Sequence, residues 1–194
     1  RAHWDLATAM GWTGLLVPEA QGGSGLGIRE AAVIAEQLGY GLFCGPFVAT
    51  AVLAPTLLAA AGGGGDAREL LARIADGTAA IGLAAAGESG ARNTDDAAPS
   101  IRANRQAVRR ELVEYPGIAT HFLVFDAMRV GADVVELAVM IVPAGPDCRI
   151  VPCQAFDVTC PVARVEFAAP ASLAALRLDF RLSRSEFDAL LRPF

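Results

Sequence analysis

The chain has 194 residues, is 54% hydrophobic and carries a net charge of −5, with 16 basic residues that are all Arg. That charge speaks against a nucleic-acid surface. No apolar run reaches the roughly 18 residues of a membrane span, because Ala51–Ala61 is interrupted at Pro55 and closed by Gly62 to Gly65.

The first elements read as helices. His3 to Met10 is a short one, with Leu6 and Met10 at helical spacing. Residues 11–27, GWTGLLVPEAQGGSGLG, then hold six glycines. Gly23, Gly25 and Gly27 fail the dinucleotide fingerprint, since Ile28 stands where its third glycine belongs, and a chain without Lys cannot form a Walker A loop. A tight turn fits better, with positive φ at one or more of Gly22, Gly23 and Gly25. Ile28 to Leu38 carries an apolar stripe of Ala31, Ile34, Ala35 and Leu38, and Gly39 stands where a left-handed helix terminus is expected. Phe47 to Ala61, apolar on nearly every side, suggests a buried helix or a pair divided at Pro55. Asp66 and Glu69 resemble a capping box ahead of Leu70, Leu71 and Ile74, and that helix stops at Gly77.

From residue 78 the period changes. Short β-prone runs cover Ala79–Leu83, His121–Phe125, Val134–Val142, Arg149–Val151 and Val162–Phe167, separated by Pro, Gly, Asp and Asn. In the last, Ala163, Val165 and Phe167 alternate with Val162, Arg164 and Glu166, as in a strand with one covered face. Residues 87–100 are a polar loop. Arg102, Arg105, Arg109 and Arg110 could meet a phosphate, but a solvated strand edge or loop accounts for them more simply. Ser183 to Leu191 turns helical again, with Ser183 and Glu186 as a second capping box and Phe187, Leu190 and Leu191 as its stripe. Cys44, Cys148, Cys153 and Cys160 form no C-x-x-C pair, and His3 and His121 are the only His residues. A zinc site is therefore not expected; buried free thiols in a reducing cytosol are.

The fold class expected is α+β: an N-terminal α-helical domain over 1–77, a small antiparallel β-barrel or sandwich over 78–182, and the start of a truncated helical domain over 183–194. Gly11, Gly14, Val17-Pro18-Glu19, Gly22-Gly23, Gly25 and the following EAAVIAEQLGYG resemble the acyl-CoA dehydrogenase family. So do the lead from Gly62 to Gly77, and Phe156-Asp157-Val158-Thr159 followed by Ala163 to Phe167. The resemblance implies an FAD-dependent α,β-dehydrogenation of an acyl-CoA thioester: a Glu carboxylate removes the α-proton while a hydride passes to the flavin. In the family that Glu belongs to the C-terminal helical domain, so no catalytic residue is assigned to this chain, and no metal ligand.

The flavin segments are implied by the resemblance at Glu88 and Ser89, and at Glu114 and Tyr115 within Leu112-Val113-Glu114-Tyr115. Both depart from the family pattern. Ala84–Ala86 stand where a Thr is usual, and Glu114 puts a carboxylate where the family has a hydroxyl. FAD binding is accordingly expected to be weak or lost. The alternative is a non-catalytic, flavin-poor scaffold subunit of a heteromeric dehydrogenase, of the kind acting on steroid CoA esters. The expected partners are an acyl-CoA substrate and a homo- or hetero-oligomeric assembly, with neither nucleic acid nor membrane, and the expected location is cytoplasmic.

Overall fold

The computed structural model describes residues 2–62, 64–84, 108–130, 132–155, 157, 159–168 and 175–186. Helices come first and strands follow. Helix α1 is Ala2–Ala9, α2 is Ile28–Tyr40, α3 is Ala54–Ala60 and α4 is Gly65–Ala75. The strands are β1 (Ile81–Ala84), β2 (Val108–Glu114), β3 (His121–Val130), β4 (Val134–Pro143), β5 (Cys148–Pro152), β6 (Val162–Phe167) and β7 (Leu176–Ser183).

In α1 the buried residues are Trp4 and Ala7, while Leu6 and Met10 face solvent, so the spacing that marks this helix belongs to its outer side. The glycine-rich stretch turns the chain. Its amides are taken up internally: Ser24 donates to the Gly14 carbonyl at 3.0 Å, Gly25 to Val17 at 2.9 Å and Leu26 to Leu15 at 2.8 Å. Gly22 and Gly25 have φ of 81° and 59°, as expected of a turn that excludes side chains.

Helix α2 packs Ala31, Ile34, Ala35 and Leu38 toward Leu15, Phe47, Ala51 and Val52. It does not end at Gly39, which is helical; the left-handed residue beyond its end is Leu42, with φ 51°. Phe47 to Ala60 is one continuous helical rod, a π-helix over Val48–Leu53 running into α3, mostly buried but exposed at Val48 and at its end, Ala59 and Ala60. Pro55 does not divide it: the rod is π-helical up to Leu53, and Pro55, which has no N–H to donate, falls where that register passes into α3. Helix α4 begins at Gly65, behind Gly64, with no side-chain cap, so Asp66 lies inside the first turn and not at the cap. There its carboxylate still favours the positive end of the helix dipole.

The strands make two sheets, with orders β1-β3-β4-β7 and β2-β6-β5, and they do not close into a barrel. Every pairing is antiparallel except that of β1 with β3, which is parallel, Ile81 opposite His121. The departure from an all-antiparallel layout follows from β2. That strand leaves for the second sheet, so β1 and β3 become neighbours without being a hairpin. In β6 the alternation holds: Ala163, Val165 and Phe167 are fully buried, and the residues between them are partly exposed.

One apolar cluster joins α3 and α4 to the first sheet through Leu58, Leu71, Ile74, Ile81 and Val139. Another fills the space between the sheets, where Phe122 and Phe167 meet edge to face at 5.9 Å between ring centres. Ser183 forms the box expected of it: its amide and hydroxyl both donate to Glu186 Oε2 at 2.7 Å, and the Glu186 amide donates back to Ser183 Oγ. Phe187, Leu190 and Leu191 lie outside the described residues.

Candidate functional site

Of the sequence-derived cofactor residues, Glu88 and Ser89 lie outside the described residues. Glu114 and Tyr115 are brought together on the wall of a cleft of about 430 Å³. The helical part supplies the opposite wall: Ala35, Leu38 and Gly39 from α2, Phe43, Gly45 and Pro46 from the loop after it, and Phe47 with Val48 and Ala49 at the start of the π-helix. Leu83 of β1 completes the lining.

The chain reaches this wall under strain. Strand β2 carries a bulge between Arg110 and Val113, and Leu112 (φ 53°) and Tyr115 (φ 50°) are both left-handed. Left-handed backbone at residues of this bulk is rare and costs roughly 1–3 kcal/mol each, so such residues mark positions that the surrounding structure over-determines. Gly82 admits the strand from below: a Cβ there would lie 3.2 Å from the Glu114 carbonyl oxygen and 3.0 Å from Ala119 Cβ. Tyr115 is pinned by its amide, which donates to the Pro161 carbonyl at 2.8 Å. Burial, with the Cys160 thiol beside it, pushes the Tyr115 phenol up to about 12. Burial also raises the Cys160 thiol. All four cysteines are free, and each is partly exposed rather than buried.

A second cleft, of about 440 Å³, lies between α4 and the first sheet, lined by Asp66, Glu69, Arg73 and His121 among apolar residues. Burial, and then the Arg73 charge, lower His121 to about 4. Its Nδ1 is 2.8 Å from the Thr120 hydroxyl. Among the described residues no group of His, Cys, Asp and Glu is arranged to hold a metal ion, and no helix is long and apolar enough to cross a membrane.

Residues 1–78 match the family model for the acyl-CoA dehydrogenase N-terminal domain. This part of the chain is similar to that domain. The fold of the whole agrees with it. The butyryl-CoA dehydrogenase of Megasphaera elsdenii matches with a TM-score of 0.59 at 16% identity, over 90% of this chain and 48% of that one. The Tcur3481-Tcur3483 steroid ACAD G363A variant matches at 0.57 and 25% identity, over 90% and 46%. The ChsE4-ChsE5 complex of Mycobacterium tuberculosis matches at 0.62 and 21%, over 98% and 49%. An FAD-dependent dehydrogenase and a protein in complex with FMN share the fold as well. The chain thus spans about half the length of the structures it resembles. No curated protein matches it in sequence.

The described lining does not fit a flavin dinucleotide. Glu114 is its one charged group and, as a carboxylate, only accepts hydrogen bonds. No Arg lines the cleft to meet a pyrophosphate. The helical wall went unseen in the sequence. Its signal was the all-round apolar character of Phe47 to Ala61, which reads equally well as plain core.

Proposed function

We propose that the chain forms the N-terminal helical and middle β portions of an acyl-CoA-dehydrogenase-like subunit, with boundaries near residues 77 and 182. In this reading the cleft beside Glu114 receives the acyl group of a thioester. The observation that carries it is the apolar cleft itself, closed on one side by the helical domain and on the other by strained strand β2. The reaction of such a subunit is α,β-dehydrogenation, and the carboxylate that takes the α-proton comes from outside these residues. The part played by this chain is to bind and orient: its walls remove the acyl chain from water, which stabilises by about 0.8 kcal/mol for each buried CH₂.

A second reading is favoured by one observation, the carboxylate of Glu114 in a lining without a cation. It is a flavin-poor scaffold subunit that pairs with a complete dehydrogenase subunit, and the heteromeric complexes among the related folds support it. The four free cysteines suit a reducing, cytoplasmic setting for either.

Calorimetric titration tests the main reading. Acyl-CoA esters of increasing chain length should bind progressively tighter than CoA. Equal binding of CoA and its esters would remove it. A flavin titration of the same sample, followed by absorbance, separates the two forms. Stoichiometric flavin on the chain alone would sink the scaffold reading, and flavin that binds only when a complete dehydrogenase subunit is added would support it.

A further inference from the structure

We propose that the ligand group this cleft selects is an apolar acyl body bearing a protonated amine. This rests on the reading of the cleft as an acyl site and narrows it to a class of substrate.

The lining is almost wholly apolar. Apart from Glu114 and Tyr115 it consists of Ala, Leu, Val, Phe, Pro and Gly side chains, so most of the ligand has to be hydrocarbon. The exception sits at a defined point. The Glu114 side chain makes no hydrogen bond or ion pair among the described residues. The side chain is exposed, but the backbone that carries it is closely constrained. Leu112 and Tyr115, on either side of it, are both left-handed. Its carbonyl crosses β1 at a glycine that leaves it room. Its backbone pairs with Val162 of β6. A stretch so constrained fixes the backbone of Glu114 at the cleft wall, at the cost of strain, and leaves its carboxylate within reach of the cleft.

The charge has one sign. Nothing else in the described lining is ionisable near neutrality, because Tyr115 stays a neutral phenol up to about 12. An anionic ligand meets repulsion here without a counter-charge in the described lining. A neutral alkyl chain leaves the carboxylate indifferent. A protonated amine receives a charge-assisted hydrogen bond. Because Glu114 is solvent-exposed, that bond discriminates by a few-fold and not by orders of magnitude.

The experiment uses the full chain and three probes of one length: hexylamine, hexanol and hexanoate. Amide shifts of Gly39 and Gly45, which line the cleft, report binding there in ¹H–¹⁵N spectra. Hexylamine should bind about three- to ten-fold tighter than hexanol, and hexanoate should bind weakest. Glu114→Gln, an isosteric change at an exposed residue, should bring amine and alcohol to within two-fold and improve hexanoate. If all three probes bind equally, or if Glu114→Gln leaves the amine preference intact, the inference is overturned while the acyl reading stands. If no probe shifts Gly39 or Gly45, the acyl reading falls, and this inference with it.

Discussion

Gly23→Ala is the sharpest test of the glycine-rich turn. Gly23 does not need positive φ; it needs space. A Cβ at Gly23 would lie 2.5 Å from Val17 Cβ and 2.6 Å from Val17 C, roughly 1 Å inside ordinary contact. Val17 cannot yield easily. Its side chain is fully buried against the α3–α4 cluster, its amide donates to Gly14 at 3.2 Å, and its carbonyl accepts from Gly25 at 2.9 Å. Relief therefore displaces a core residue, at about 1–3 kcal/mol. It also weakens the Gly25 bond, at about 1 kcal/mol. The sum is about 2–4 kcal/mol. At about 2–4 °C per kcal/mol for a chain of this size, Tm should fall by roughly 5–15 °C. Gly39→Ala is the control. Gly39 lies in α2 with nothing within 4 Å of an added Cβ, so Ala should stabilise by up to about 1 kcal/mol. Scanning calorimetry of both variants decides. A Gly23→Ala protein melting within 2 °C of the parent, or below it by less than Gly39→Ala, refutes the reasoning.

Thr50→Val should cost about 1–3 kcal/mol in urea unfolding, since Thr50 Oγ1 accepts from the buried Ile81 amide at 2.9 Å and donates to its carbonyl at 3.3 Å; Thr50→Ser should recover most of it. His121 titrates near 6.5 when unfolded and near 4 when folded, so the unfolded chain binds the extra proton between those values. Stability contributed by this residue is present above pH 6.5 and lost as pH falls toward 4. His121→Asn should flatten that part of the urea-midpoint profile, and an unchanged slope would mean that other groups produce it. Cys160 should alkylate with iodoacetamide at pH 8 more slowly than a free thiol, because burial raises it. Tyr115→Phe removes a hydrogen bond that favours the thiolate and should slow the reaction further; mass spectrometry of the labelled peptide reads this out.

The helical half was legible because its stripes repeat over several turns and its glycines punctuate them. Strand β6 was legible because its covered face alternates without a fault. Strand β2 was not. Its basic start reads as a solvated edge, yet Arg110 is buried and its Nη2 donates to the Phe125 carbonyl at 3.4 Å. The bulge at Leu112 then shifts the alternation out of phase. Strand β7 was missed for a weaker reason. Leu176, Leu178, Phe180 and Leu182 do alternate with Arg177, Asp179 and Arg181, and the pattern is readable once β4 is placed beside it. Glu114 and Tyr115 were found through the family resemblance, not through any local pattern. The cleft they face depends on residues about 70 positions earlier, which no local period reveals.

The π-helix explains how two such distant segments hold one cleft. Its Val48 and Ala49 line the cleft, and the next residue, Thr50, turns its hydroxyl to both backbone groups of Ile81. Thr120 does the same for Ala80, accepting from its amide at 2.9 Å and donating to its carbonyl at 3.1 Å. Strand β1 is paired with β3, and these hydroxyls take up the amides of Ala80 and Ile81 at its start. The wider π turn is sustained by the i−5 bond from the Ala54 amide to the Ala49 carbonyl, just ahead of Pro55, which has no amide to offer an α-helical register. The helical wall of the cleft is thereby fixed to the same strand that carries Leu83 on the sheet wall. Movement of the helical wall against Leu83 therefore has to break the buried Thr50 bonds, which makes this side of the cleft a rigid support.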